Sequence, residues 1–200
     1  MPARVYLEEG RTWVFAVALD WPGWCRRGRG RDAALAALLE YRDRYRAVPS
    51  IAFRPGPLEV VGVVAGTSTT DFGAPDAVWP QDRQLPSRAE RRRHIERLQD
   101  CWRYFDDVVS RAPARLRTGP RGGGRHRDAI YEHVREAERA YASRVGRPIP
   151  PRTPWADQRA TLAAALTRDE PGARWPAAYA LRRIAWHVLD HAFEIEDRAS

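Results

Sequence analysis

The chain contains no lysine: every one of its 34 Lys-plus-Arg positions is arginine. A GC-rich coding sequence explains that bias without any need for guanidinium forks. Cysteine is nearly missing too. Cys25 and Cys101 are too few for a disulfide framework, so both are read as ordinary thiols in a reducing cytoplasm. No apolar run approaches the ~20 residues of a membrane span, and the N-terminus lacks the basic-then-apolar layout of a signal peptide. Internal repeats are absent. What the chain does have is a 44% apolar fraction and eight tryptophans over 200 residues. That composition belongs to a folded chain with room for one large domain or two small ones.

The net charge of +8 is unevenly spread, with residues 1–80 close to balanced and most of the surplus in residues 81–200. The densest stretch, Arg111 to Arg127, holds six arginines and no acid. Such a loop attracts nucleic acid or small anions. It has no interleaved aromatics and matches no nucleic-acid-binding motif, so a solvated loop is the expectation and nucleic acid is not an expected partner.

Arg4 to Glu8 and Trp13 to Leu19 read as two strands around a turn at Glu9-Gly10-Arg11. Asp20-Trp21-Pro22-Gly23-Trp24 reads as a turn through its Pro-Gly pair. Asp32 is placed to cap a helix over Ala33 to Tyr45, with Ala34, Leu35, Leu38, Leu39 and Tyr45 as its apolar face. Short strands at Ile51 to Phe53 and Leu58 to Val64 complete a small α+β unit, residues 1–65.

Within that unit, a strand ending in Asp20-Trp21-Pro22-Gly23-Trp24-Cys25, a Gly-bearing turn and an Ala/Leu-rich helix resemble the HicB-like module. The resemblance covers about the first third of the chain. It implies an antitoxin half of a toxin–antitoxin pair, or an orphan domain fused to something else. A protein partner would then be held at a sheet edge or at the Trp21–Trp24 turn.

Residues 66–86 are rich in Gly, Pro, Ser, Thr and Asp, without periodicity, and are expected to form a linker. Phe72, Val78 and Trp79 within it suggest docking on a neighbour. From Ser87 the pattern turns helical. Ser87 and Glu90 form a capping-box arrangement for a helix to about Arg111, stopped by Pro113 and Gly119-Pro120. Gly122-Gly123-Gly124 make a flexible joint that lacks the context of a P-loop. Further helices are expected over Asp128 to Val145, Pro154 to Thr167 and from near Pro176 to Asp197. Residues 87–200 are thus predicted to form an all-α up-and-down four-helix bundle after the α+β unit.

Three histidines carry the chemistry. His187 and His191 are four residues apart, so they share the face of their helix that also carries Ile184, Val188 and Ile195. His133 sits beside the stripe Ile130, Val134, Ala137 and Tyr141 of another helix. A protonatable ring on an apolar stripe is costly unless something satisfies it. If the helices face each other, three imidazoles converge as a divalent-metal set with open positions. Alone, a His-x-x-x-His pair is more often structural. Glu136 and Glu194, each one turn beyond a histidine, are candidates to orient the rings, and Tyr141 lies on or near the inward side. His94 and His126 sit in no comparable pattern.

One histidine in Glu132-His133-Val134-Arg135-Glu136-Ala137-Glu138 and two in the helix Arg183 to His191 resemble the DinB-like (DinB/YfiT-type) superfamily over residues 85–200. The resemblance implies a zinc or nickel ion on His133, His187 and His191. It also implies a transferase or isomerase that uses a low-molecular-weight thiol, and the Arg-only composition suits a mycothiol-type one. Two readings stand beside each other: a metal-dependent thiol transferase, and a non-enzymatic interaction protein whose bundle is a metal-stabilised homodimerisation element.

Overall fold

Two short apolar runs rich in Val, Tyr and Phe build a hairpin in the first twenty residues, and the rest of a small sheet forms on it. The computed structural model describes residues 2–50, 52–118, 124–168, 170 and 172–199. Strands β1 (Ala3–Glu9), β2 (Val14–Ala18) and β3 (Cys25–Gly28) are followed by helices α1 (Arg31–Glu40) and α2 (Arg42–Tyr45), then by β4 (Leu58–Ala65). Helix α3 (Ser68–Phe72) and a 3-10 turn, Pro80–Arg83, lead to four longer helices: α4 (Arg88–Arg111), α5 (Arg127–Arg144), α6 (Trp155–Ala165) and α7 (Ala177–Ala199). The architecture is α+β, a four-stranded mixed sheet with its helix followed by several long helices packed together.

The sheet order is β3-β2-β1-β4, with β1 antiparallel to β2 and parallel to β4. Between Val5↔Val60 and Tyr6↔Gly62 the register slips, leaving Val61 as an extra residue in β4. Alternation sends Val5, Leu7, Ala16 and Ala18 into one core cluster, shared with Ala34 and Leu38 of α1 and with the long helices. Tyr6, Phe15, Val17 and Cys25 face the other way, against Trp79 and Trp186. The sheet is therefore covered on both faces.

Four expectations for this half need correction. Strand β3 was not anticipated, because a strand of four residues rich in arginine has no apolar run to mark it. The helix predicted over Ala33 to Tyr45 begins at Arg31 and breaks at Tyr41. Gly30, not Asp32, occupies the N-cap, and Leu39 is 48% exposed rather than part of the buried face. No strand forms at Ala52–Phe53, and Ile51 lies outside the described residues. Pro49, Pro55 and Pro57 deprive that stretch of ladder donors. Phe53 is buried instead among the rings of Trp21, Trp24 and Tyr45, at centroid distances of 4.8, 5.0 and 4.9 Å.

Residues 66–86 are tied down by a buried carboxylate. Glu8 of β1 is fully buried and accepts hydrogen bonds from Thr70 Oγ1 (2.5 Å), Asp76 N (2.7 Å) and Ala77 N (3.0 Å). Burial raises its pKa, with these donors working against that rise. Trp79 stacks on Tyr6 at 5.2 Å, and Asp82 pairs with Arg182 of α7 at 2.5 Å, both partners buried. Trp79 docks as its composition suggests, whereas Phe72 is 89% exposed.

The capping box at Ser87 and Glu90 forms as expected, with both reciprocal hydrogen bonds. Helices α4 and α7 run the same way, not oppositely as an up-and-down bundle requires, since Cys101 lies beside Gly23 with Ala185 and Leu189, and Tyr104 meets Phe193 and Glu196. Helices α5 and α7 run oppositely: His133 faces His191, and Tyr141 faces Trp175. Gly23, at φ +90°, seats the Trp21–Trp24 turn on α7, where an added Cβ would lie 2.6 Å from Leu189. Among the described residues no helix is long and apolar enough to cross a membrane. Gly122 and Gly123 lie outside the described residues.

Candidate metal centre

Helix α7 is buried along most of its length because its apolar residues run almost all round it, from Ala177 to Ile195. Helix α5 lies beside it, burying Ile130 and Val134. His133, next to Val134, therefore points at the strip of α7 that carries His187 and His191. The three rings meet: centroids are 5.2 Å apart for His133–His187, 4.9 Å for His133–His191 and 4.6 Å for His187–His191. One ligand nitrogen from each lies within 4.8 Å of the other two. Donors on one ion, with metal–nitrogen bonds of ~2.0–2.1 Å, stand ~3.4 Å apart in tetrahedral geometry, so a small closing of the rings brings all three onto one centre. The three histidines can hold a metal ion.

Electrostatics agree with the donor chemistry. His187 is 7% exposed, and its Nδ1 is buried with no hydrogen-bond partner. Burial pushes its pKa well below the usual value, assisted by His191, Arg183 and His133. His133 is lowered as well, by burial first and then by His191. Both rings are thus neutral at physiological pH, the form that donates a lone pair to a metal. A buried ring with an unspent nitrogen fits a ligand better than a satisfied core histidine.

The candidates around the ring set divide. Glu194 reaches the site, its Oε2 lying 2.9 Å from His191 Nδ1 and its Oε1 accepting from Arg198 Nη1 at 2.6 Å. Its carboxyl is held below the usual range chiefly by the His191 hydrogen bond. Tyr141 also reaches it, with its ring 5.7 Å from that of His187 and edge-on to it. Burial raises the phenol pKa, so the hydroxyl stays protonated. Glu136 is exposed on the flank of α5, with Glu132 and Arg139 beside a separate surface groove, and acts on His133 only through space.

The Trp21–Trp24 turn offers less to a partner than its sequence suggested. Trp24 is 1% exposed and its Nε1 donates to Leu38 O at 2.9 Å. Trp21 is half-buried under the Arg97 guanidinium, which lies 4.2 Å above its ring. Cys25 and Cys101 are free and buried, and burial raises both thiol pKa values. They are inert structural thiols. His94 and His126 stay apart from the cluster.

Sequence reasoning passed over Arg183. It stands four residues before His187, extending the 187–191 spacing backwards, and its guanidinium lies 5.7 Å from the Tyr141 ring centroid. The four-residue step was the available signal. No family model, no curated protein and no solved structure matches this chain.

Proposed function

We propose that this chain is a divalent-metal protein of the DinB-like kind, with zinc or nickel on His133, His187 and His191 serving a thiol-transfer reaction. The observation that carries the reading is the approach of three imidazole nitrogens, from two helices distant in sequence, to within 4.8 Å. The neutral state of His133 and His187 supports it, as does the unspent Nδ1 of His187. Glu194 orients the His191 ring. Three protein ligands leave positions open for an exogenous ligand, as in catalytic rather than structural sites. An ion held there lowers the pKa of a bound thiol, so that sulfur is a nucleophile at neutral pH. The thiol class, a mycothiol-type one, rests on the DinB-like resemblance and on the arginine-only composition.

Elemental analysis of the purified protein beside a His133→Ala, His187→Ala, His191→Ala variant tests the site. Thiol conjugation to a model electrophile by the metal-loaded protein tests the activity. Metal and conjugation should both vanish in His187→Ala. Conjugation that persists in fully metal-free protein sinks the reading.

A second reading has its own observation. Strand β4 is an edge strand on which Val60, Val61 and Val63 are 44%, 36% and 42% exposed. An open apolar edge accepts a strand from another chain. On this reading the N-terminal unit is a HicB-like interaction module and the bundle a metal-stabilised homodimerisation element. Co-purification with a small toxin, and no conjugation with metal loaded, favour it.

A further inference from the structure

Helix α7 carries three arginines, and two of them have carboxylates. Arg182 pairs with Asp82 and Arg198 with Glu194. Arg183 has no carboxylate partner among the described residues, and its Nε and Nη1 are buried without any hydrogen-bond acceptor. Its guanidinium carbon lies 4.6 Å from the Trp186 ring centroid and 5.7 Å from that of Tyr141. Ring faces attract the cation but leave in-plane N–H donors unspent. The side chain as a whole is half-buried, and its two enclosed donors are costly unless something completes them.

Its place says what that is. Arg183, His187 and His191 follow at four-residue steps, so they share one face of α7 with about one 5.4 Å turn between neighbours. Tyr141 packs against both Arg183 and His187. The cavity on the far side of Arg183, shared with Tyr179 and Cys25, is about 10 Å³. That is room for one water, which accepts a hydrogen bond but does not balance a charge.

We infer that Arg183 is the anion-recognition residue of the histidine site, and that the site's ligand carries a carboxylate about one helical turn from its metal-binding group. One guanidinium balances the charge of one carboxylate, whereas a phosphate dianion would leave net negative charge in the same half-buried place. The inference rests on the metal reading above.

The test uses the cobalt(II)-loaded full chain, titrated with 3-mercaptopropionate and with 1-propanethiol and followed by thiolate-to-cobalt absorption. The two probes differ only in a terminal carboxylate against a methyl group. Wild type should bind the carboxylate probe about tenfold or more tightly. Arg183→Met should take up cobalt normally and lose the preference, and Arg183→Lys should keep part of it. Equal affinities in wild type, or a preference that survives Arg183→Met, overturns the inference while leaving the metal reading intact. Failure of the wild-type protein to take up cobalt removes both.

Discussion

Glu194 and His191 are joined across three residues of α7, carboxylate Oε2 to ring Nδ1, at 2.9 Å. The carboxylate accepts, so Nδ1 carries the hydrogen and Nε2 keeps its lone pair for an ion. Arg198 holds the other carboxylate oxygen in place. Removing such an orienting group typically lowers metal affinity ~10–100-fold. Glu194→Gln should therefore weaken zinc binding by about that factor in competition with a chromophoric chelator. Glu136→Gln, on an exposed flank, should leave it unchanged.

Metal should stabilise the fold only through the three rings. A ligand that binds the folded state alone adds ~2.7 kcal/mol at a hundredfold excess over its dissociation constant. Zinc should raise the melting temperature of wild type and leave that of the triple histidine variant where it is. An equal rise in both proteins would locate the metal elsewhere.

Acid should destabilise the chain in a defined window, partly through His94. Burial, with Arg182 and Arg97 nearby, pushes its pKa down to about 4. The unfolded ring titrates near ~6.5, so between those values the unfolded state binds more protons and stability falls as pH falls. The contribution is complete above the unfolded pKa and lost as pH drops toward 4. His133 and His187 act with the same sign in metal-free protein. His94→Gln should flatten the pH dependence of urea stability by on the order of 2 kcal/mol between pH 7 and ~4. An unaltered slope would mean that the ring gains its proton without cost.

Glu8 anchors residues 66–86 through three donors. Glu8→Ala strands two backbone N–H groups and a hydroxyl, a loss of ~2–4 kcal/mol. Trypsin should then cut after Arg83 faster, and amide exchange at Asp76 and Ala77 should rise. If proteolysis at Arg83 is no faster, the segment is held by the Trp79–Tyr6 stack and the Asp82–Arg182 pair instead.

Local pattern carried much of this protein. Short apolar runs marked β1, β2 and β4, the Ser87–Glu90 box marked the start of α4, and helical spacing put His187 and His191 on one face, because each signal depends only on neighbours in the chain. Arginine-rich β3 escaped for want of an apolar run, and the prolines around Phe53 outweighed its apolar character. Glu8 gave no sign of being the buried tie for a segment some seventy residues away. The approach of α5 to α7 also lies beyond local pattern. So do the Glu194–His191 bond, the burial of Trp24 and the isolation of Arg183. Each depends on which helix faces which, and that is settled by side-chain packing across the whole core rather than by the periodicity of any one element.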